Sequence, residues 1–176
     1  FETPADAFTN PAHPDSFRFK RSQQAFEEVM VYYHIDKIQR YIQSLGFNGI
    51  QNLSIPVDPH GLNGADNAHY IPSTNSVAFG EGGVDDAEDA DVIWHEYGHA
   101  IHFGTKPTWG GGEADHIGEG FGDYWAGSYS KSGWAFGSDS VFSWDGTAAG
   151  ARRRALTDPR HYPRNGVAAM QVHDAG

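Results

Sequence analysis

His95-Glu96-Tyr97-Gly98-His99 places two imidazoles and a carboxylate within a single helical turn. Residues four apart lie on the same face of a helix, one above the other. Two His at that spacing can reach one Zn²⁺ at about 2.0–2.1 Å. Glu96 lies beside them and can take a proton from a metal-bound water. The pentapeptide therefore points to metal-assisted hydrolysis, most often that of a peptidase.

A catalytic zinc needs three protein ligands and an open position. His102 is close in sequence, but side chains 95, 99 and 102 on one straight helix spread over about 10 Å of axis, so they do not converge. Position 105, six residues past His99, is Thr, so a third His there is excluded. What remains is a carboxylate on a second helix. Gly118-Glu119-Gly120-Phe121-Gly122-Asp123-Tyr124-Trp125 supplies one. Glu119 follows His99 with room for a turn and an antiparallel return. Asp123 projects from the same face one turn later. There it can accept the other ring N–H of a ligand His and fix its tautomer. Two solvated carboxylates on a surface helix are the alternative. The flanking Gly, Phe, Tyr and Trp argue for close packing instead.

These residues need elements to hold them. Residues 1–21, with Pro4, Pro11 and Pro14, read as an extended lead-in. A helix follows, with Ser22 as N-cap and Gly46 as its left-handed terminator. Phe26, Met30, Tyr33, Tyr41 and Leu45 form its apolar stripe, widened by Val29, Ile38 and Ile42. Short strands are expected over 50–57, 68–71 and 77–79. Gly80 to Gly83 make a turn. Asp85 to Asp91 lead into the His95 helix, which Asp89 or Asp91 caps and which spans about 92–103. Gly110-Gly111-Gly112 opens onto a second helix over about 117–130. The rest is loop-rich, with Arg152-Arg153-Arg154 and Pro159 and Pro163.

The fold class expected is α+β within one domain of 176 residues. Its parts are the lead-in 1–21, an α/β part 22–104 and a C-terminal part 105–176. The abrupt ends at Phe1 and Gly176 suggest a piece of a longer precursor, whose further segments could complete the site. Cys is absent, which excludes disulfides and thiolate metal ligands. The net charge of −11 makes nucleic acid a poor partner. No apolar run is long enough for a transmembrane helix, so no membrane partner is expected. The acidity fits a solvated surface; Ca²⁺ binding and a salty medium are the sharper alternatives.

Asp91-Val-Ile-Trp-His-Glu-Tyr-Gly-His-Ala-Ile-His together with Gly-Glu119-Gly-Phe-Gly-Asp123-Tyr-Trp resembles the gluzincin metallopeptidases. The likeness is nearest to the thermolysin and fungalysin group, on the fungalysin side. It spans about residues 22–176 and is strong over 91–125. It implies a zincin-like fold: a short N-terminal sheet with an edge strand, the zinc helix, a Glu-bearing helix and a C-terminal part that is short for the family. It implies His95, His99 and Glu119 as zinc ligands, Glu96 as general base and Asp123 as the carboxylate orienting a ligand His. Asn67-Ala68-His69-Tyr70 resembles the edge strand that binds an extended peptide, with Asn67 and Ala68 as contacts. Val172-His173-Asp174-Ala175-Gly176 resembles the segment whose His, here His173, stabilises the oxyanion. Gly150-Ala-Arg-Arg-Arg and Asp158-Pro-Arg-His-Tyr-Pro look like the fungalysin connection, and one Arg could meet a substrate carbonyl. Extracellular location is implied by the same likeness.

Three departures stand out. The Tyr expected after the zinc helix has no match in Pro107-Thr108-Trp109-Gly110. The acidic cluster of a double calcium site is matched by Asp91 alone, where a capping role would suffice. The flanking sheet and the helical C-terminal half are short. The implied activity is zinc-dependent hydrolysis of a peptide or protein substrate, as an endopeptidase. The rival readings are a non-catalytic zinc-stabilised domain and an inactive fragment of a larger metallopeptidase.

Overall fold

A computed structural model describes residues 17–133, 139–147 and 153–157. It is an α+β arrangement in which three helices carry most of the buried surface. The helices are α1 (Ala25–Ser44), α2 (Ala90–Thr105) and α3 (Glu113–Gly133). Among the described residues, no helix is long and apolar enough to cross a membrane.

Helix α1 ends as its sequence requires. Gly46 adopts φ +96°, open to glycine without a Cβ penalty. Its N–H donates to Gln43 and that of Phe47 to Ile42, the paired bonds of a Schellman motif. The start differs from expectation. Ser22 lies outside the helix in a turn, and Gln24 precedes Ala25 without a side-chain cap. The buried stripe is also rotated. Val31, Ile35, Ile38 and Ile42 face the core, whereas Tyr33 and Leu45 are about half exposed. Glu27 and Glu28, both buried, turn the first part of the helix toward polar neighbours, so the purely apolar stripe is not the inward one.

The first sheet joins β1 (Val57–Asp58), β2 (Ala68–Ile71) and β3 (Ser76–Phe79) in the order β1-β3-β2. β1 runs parallel to β3, with Val57 opposite Val77. β2 runs antiparallel to β3, with Ala68 opposite Phe79 and Ile71 opposite Ser76. β2 therefore forms one edge. Of the strand expected over 50–57, only the last residue pairs as strand. Pro56 has no N–H to give a ladder, although its carbonyl accepts from Val77. Upstream, the Gln51 side chain ties the segment to the Ala100 carbonyl in α2 instead. Ile55, Val57, Val77 and Phe79 carry the sheet's apolar face into the core.

A 3-10 turn, Asp86–Glu88, leads into α2. Asp89 caps that helix by accepting from the Asp91 N–H at 2.8 Å. Asp91 does not cap; its Oδ2 accepts from the Phe142 and Ser143 amides at 3.1 and 3.4 Å. Asp89 Oδ2 takes the next two, from Trp144 and Asp145, at 2.9 and 2.8 Å. Two aspartates at the start of α2 thus anchor the segment that follows α3. That segment holds a second, two-stranded sheet, β4 (Ser140–Val141) with β5 (Arg154–Ala155), antiparallel.

Candidate metal centre

Helices α2 and α3 meet along a line where side chains are small. A Cβ on Gly98 would lie 3.1 Å from the Gly122 Cα. A Cβ on Gly122 would lie 2.7 Å from His95 Nδ1, nearer than Cβ atoms normally come. Both positions therefore need glycine for close approach. His95 faces Asp123 and His99 faces Glu119, so the two helices run antiparallel and bring opposite ends of their motifs together.

Three donors converge at this line. His95 Nε2 and His99 Nε2 are 3.0 Å apart. Glu119 Oε2 is 3.2 Å from the first, and Glu119 Oε1 is 3.3 Å from the second. Ligands on a tetrahedron are separated by about 1.6 bond lengths, which for zinc at 2.0–2.1 Å is about 3.3 Å. The nitrogen and oxygen atoms already stand at that spacing. His95, His99 and Glu119 could therefore hold Zn²⁺ with little movement, and two imidazoles with a carboxylate suit that ion.

The surroundings tune the donors. Asp123 Oδ1 lies 2.8 Å from His95 Nδ1, on the far side of the ring from the convergence point. Arg154 Nη1 lies 3.0 Å from the same Asp123 oxygen and 3.5 Å from Glu119 Oε2. Its guanidinium stacks 4.6 Å from the centre of the Phe142 ring. Burial opposes a proton on His95, but the Asp123 and Glu119 carboxylates outweigh it and push its pKa up to about 9. A site that draws in a proton this way also suits a dication.

Glu96 is buried, and its Oε2 has no hydrogen-bond partner. It lines, with all three candidate ligands, a cleft of about 890 Å³. The edge strand β2 forms one wall of that cleft. Ala68 opens the strand and Asn67 directly precedes it, and both line the cleft. Trp109, about half exposed, also lines the cleft. His102 joins no metal-capable group among the described residues. Its ring packs 5.0 Å from Trp109, edge to face, and burial lowers its pKa.

Of the three consecutive arginines, Arg153 and Arg154 are among the described residues, and Arg154 reaches the centre. The sequence leaves the choice open, because β5 and its register with β4 give no pattern in so short a run. Asp91 likewise joins no metal-capable group among the described residues; it anchors backbone. His173 and the stretch 158–176 lie outside the described residues. No family model matches the chain, and neither does any curated protein or solved structure.

Proposed function

We propose that this chain is a zinc-dependent peptidase of the gluzincin type, with a zincin-like core and an extracellular place of work. The observation that carries the reading is the convergence of His95 Nε2, His99 Nε2 and Glu119 within 3.0–3.3 Å beside a buried Glu96 whose Oε2 has no hydrogen-bond partner. A zinc ion bound there would polarise a water and a scissile carbonyl. Glu96 then serves as general base: it takes the proton of the attacking water and delivers it to the leaving amine. Having no protein donor, its Oε2 is ready to accept. Asp123 positions His95 and keeps Nε2 directed at the ligand cluster. The substrate lies extended along β2, adding a strand to the free edge through backbone hydrogen bonds. Asn67 and Ala68 start that edge. His173 is proposed to steady the oxyanion.

The test is cleavage of an unstructured peptide mixture by the zinc-loaded chain and by Glu96→Gln. Wild-type turnover is expected, with a loss of about 10²–10⁴-fold in the variant at unchanged zinc affinity. Equal turnover in both would reject Glu96 as base. Glu119→Ala is expected to lose zinc affinity itself, and unchanged affinity there would reject it as third ligand.

A further inference from the structure

The cleft that holds the His95 cluster is also lined by a second group of donors with a different chemistry. Asp66 precedes the edge strand, Asp86 opens the 3-10 turn before α2, and Asp145 lies in the segment after α3. Each offers one carboxylate oxygen, and the three lie within 4.8 Å of one another. All three residues face the cleft.

Three acids alone would mean little on so acidic a surface. Asp86 is different. It is only 4% exposed, and its Oδ2 has no hydrogen-bond partner. Asp145 Oδ1 is likewise sequestered without a donor. None of the ion pairs among the described residues involves Asp66, Asp86 or Asp145. Arg154 favours ionised Asp145 only at a distance, while its close contacts go to Glu119 and Asp123. Burial first, then the neighbouring acids, push Asp86 up to about 7 and Asp145 to about 6. The Gly80 and Asn67 amides favour the ionised Asp86 carboxyl but do not offset this. A buried carboxyl with one oxygen unpartnered, beside two more carboxylates, is relieved by a proton or a cation.

The backbone is shaped to hold the acids there. Gly83 has φ +68°, and a Cβ on it would lie 2.8 Å from Asp66 Oδ1. The turn containing it is bonded to the loop before β2, with Glu81 N–H donating to Asn63 and Gly82 N–H to Ala65. Asp66 is thereby seated toward Asp86.

We propose that Asp66, Asp86 and Asp145 bind a structural Ca²⁺ on the wall of the cleft. The donors are all oxygen and all anionic, which suits a hard cation, unlike the nitrogen-rich His95 cluster. They come from three separate segments, and Ca²⁺, with its six to eight oxygen ligands in flexible geometry, tolerates such a set better than Mg²⁺, which demands a near-ideal octahedron. Water and backbone carbonyls complete the shell. The ion ties together three segments distant in sequence and so fixes the approach to Asn67 and Ala68.

The test uses the full chain, stripped with chelator and titrated with CaCl₂ at about pH 8, where the acids are ionised. Calorimetry is expected to show Ca²⁺ binding, with a rise in Tm. Asp86→Asn and Asp145→Asn are each expected to weaken that binding about tenfold or more. Glu119→Ala should leave it unchanged, which separates this site from the zinc ligands. Should Asp86→Asn fail to fold, Asp145→Asn and the exposed Asp66→Asn decide. No Ca²⁺ binding by the wild-type chain, or unchanged binding in these variants, overturns the proposal.

Discussion

Glu96 stands apart from the other carboxylates of the His95 cluster. Glu119 and Asp123 both lie within reach of Arg154 and of an imidazole. Glu96 is more deeply buried, and its Oε2 has no hydrogen-bond partner. One carboxylate is thus left to move protons while two hold geometry. The role of Asp123 can be tested separately. It touches His95 at Nδ1, not at the nitrogen that faces the cluster, so its effect on a metal is indirect. Asp123→Asn keeps the shape and removes the charge. Zinc affinity is expected to fall about 10–100-fold, as when other carboxylate partners of ligand His are removed. Competition with a chromophoric chelator would measure it. An affinity equal to that of the wild type would show that Asp123 does no positioning.

The helix pair α2–α3 is where sequence and structure agree best. His95, Glu96 and His99 share a face because the helical period demands it, and the Gly-rich motif around Glu119 is itself the mark of a close contact. Other elements are harder to read. Helix α1 carries apolar residues around much of its circumference, and Glu27 and Glu28 take buried places, so periodicity finds Ile38 and Ile42 but passes over Val31 and Ile35 in favour of the half-exposed Tyr33 and Leu45. β1, β4 and β5 have two residues each, too few for an alternating pattern. The position of Arg154 over Phe142 follows from that illegible pairing. The agreement at α2–α3 also yields a prediction. Gly122→Ala places a methyl 2.7 Å from the His95 ring, on a helix whose Gly122 Cα already stands 3.1 Å from where a Cβ on Gly98 would lie. Overpacking of this kind costs about 1–3 kcal/mol. The helices must part, so the variant should lose both Tm and zinc affinity. Thermal unfolding and zinc titration would check it together, and a variant unchanged in both would show that the contact is looser than described.

For the whole molecule, the dominant fact is negative charge, −11 in all, some of it buried. Burial and neighbouring acids raise Glu27 to about 8, Asp86 to about 7, and Asp91 and Asp145 to about 6. Each of these values lies above that of the unfolded chain, so the native state holds more protons. The stabilisation they give is complete below the unfolded carboxylate range, at about pH 4, and is lost as pH rises from there through the native values of about 6 to 8. His34 works the other way. Burial lowers it to about 4, so its contribution is present above 6.5 and is lost as pH falls toward 4. His102, also lowered, acts with His34, whereas Glu28 and His95, both raised, act with the four carboxylates, so the groups that the native state keeps protonated prevail over about pH 5–8. In chelator, Tm should therefore fall by several degrees between about pH 5 and pH 8, at about 2–4 °C per kcal/mol for a chain of this size. Millimolar Ca²⁺ should reduce that fall, because a cation replaces the protons that Asp86 and Asp145 would otherwise need. Differential scanning calorimetry across the range reads both effects. A Tm that climbs steadily over the same range in chelator would mean that these carboxylates are better solvated in solution than their buried positions imply.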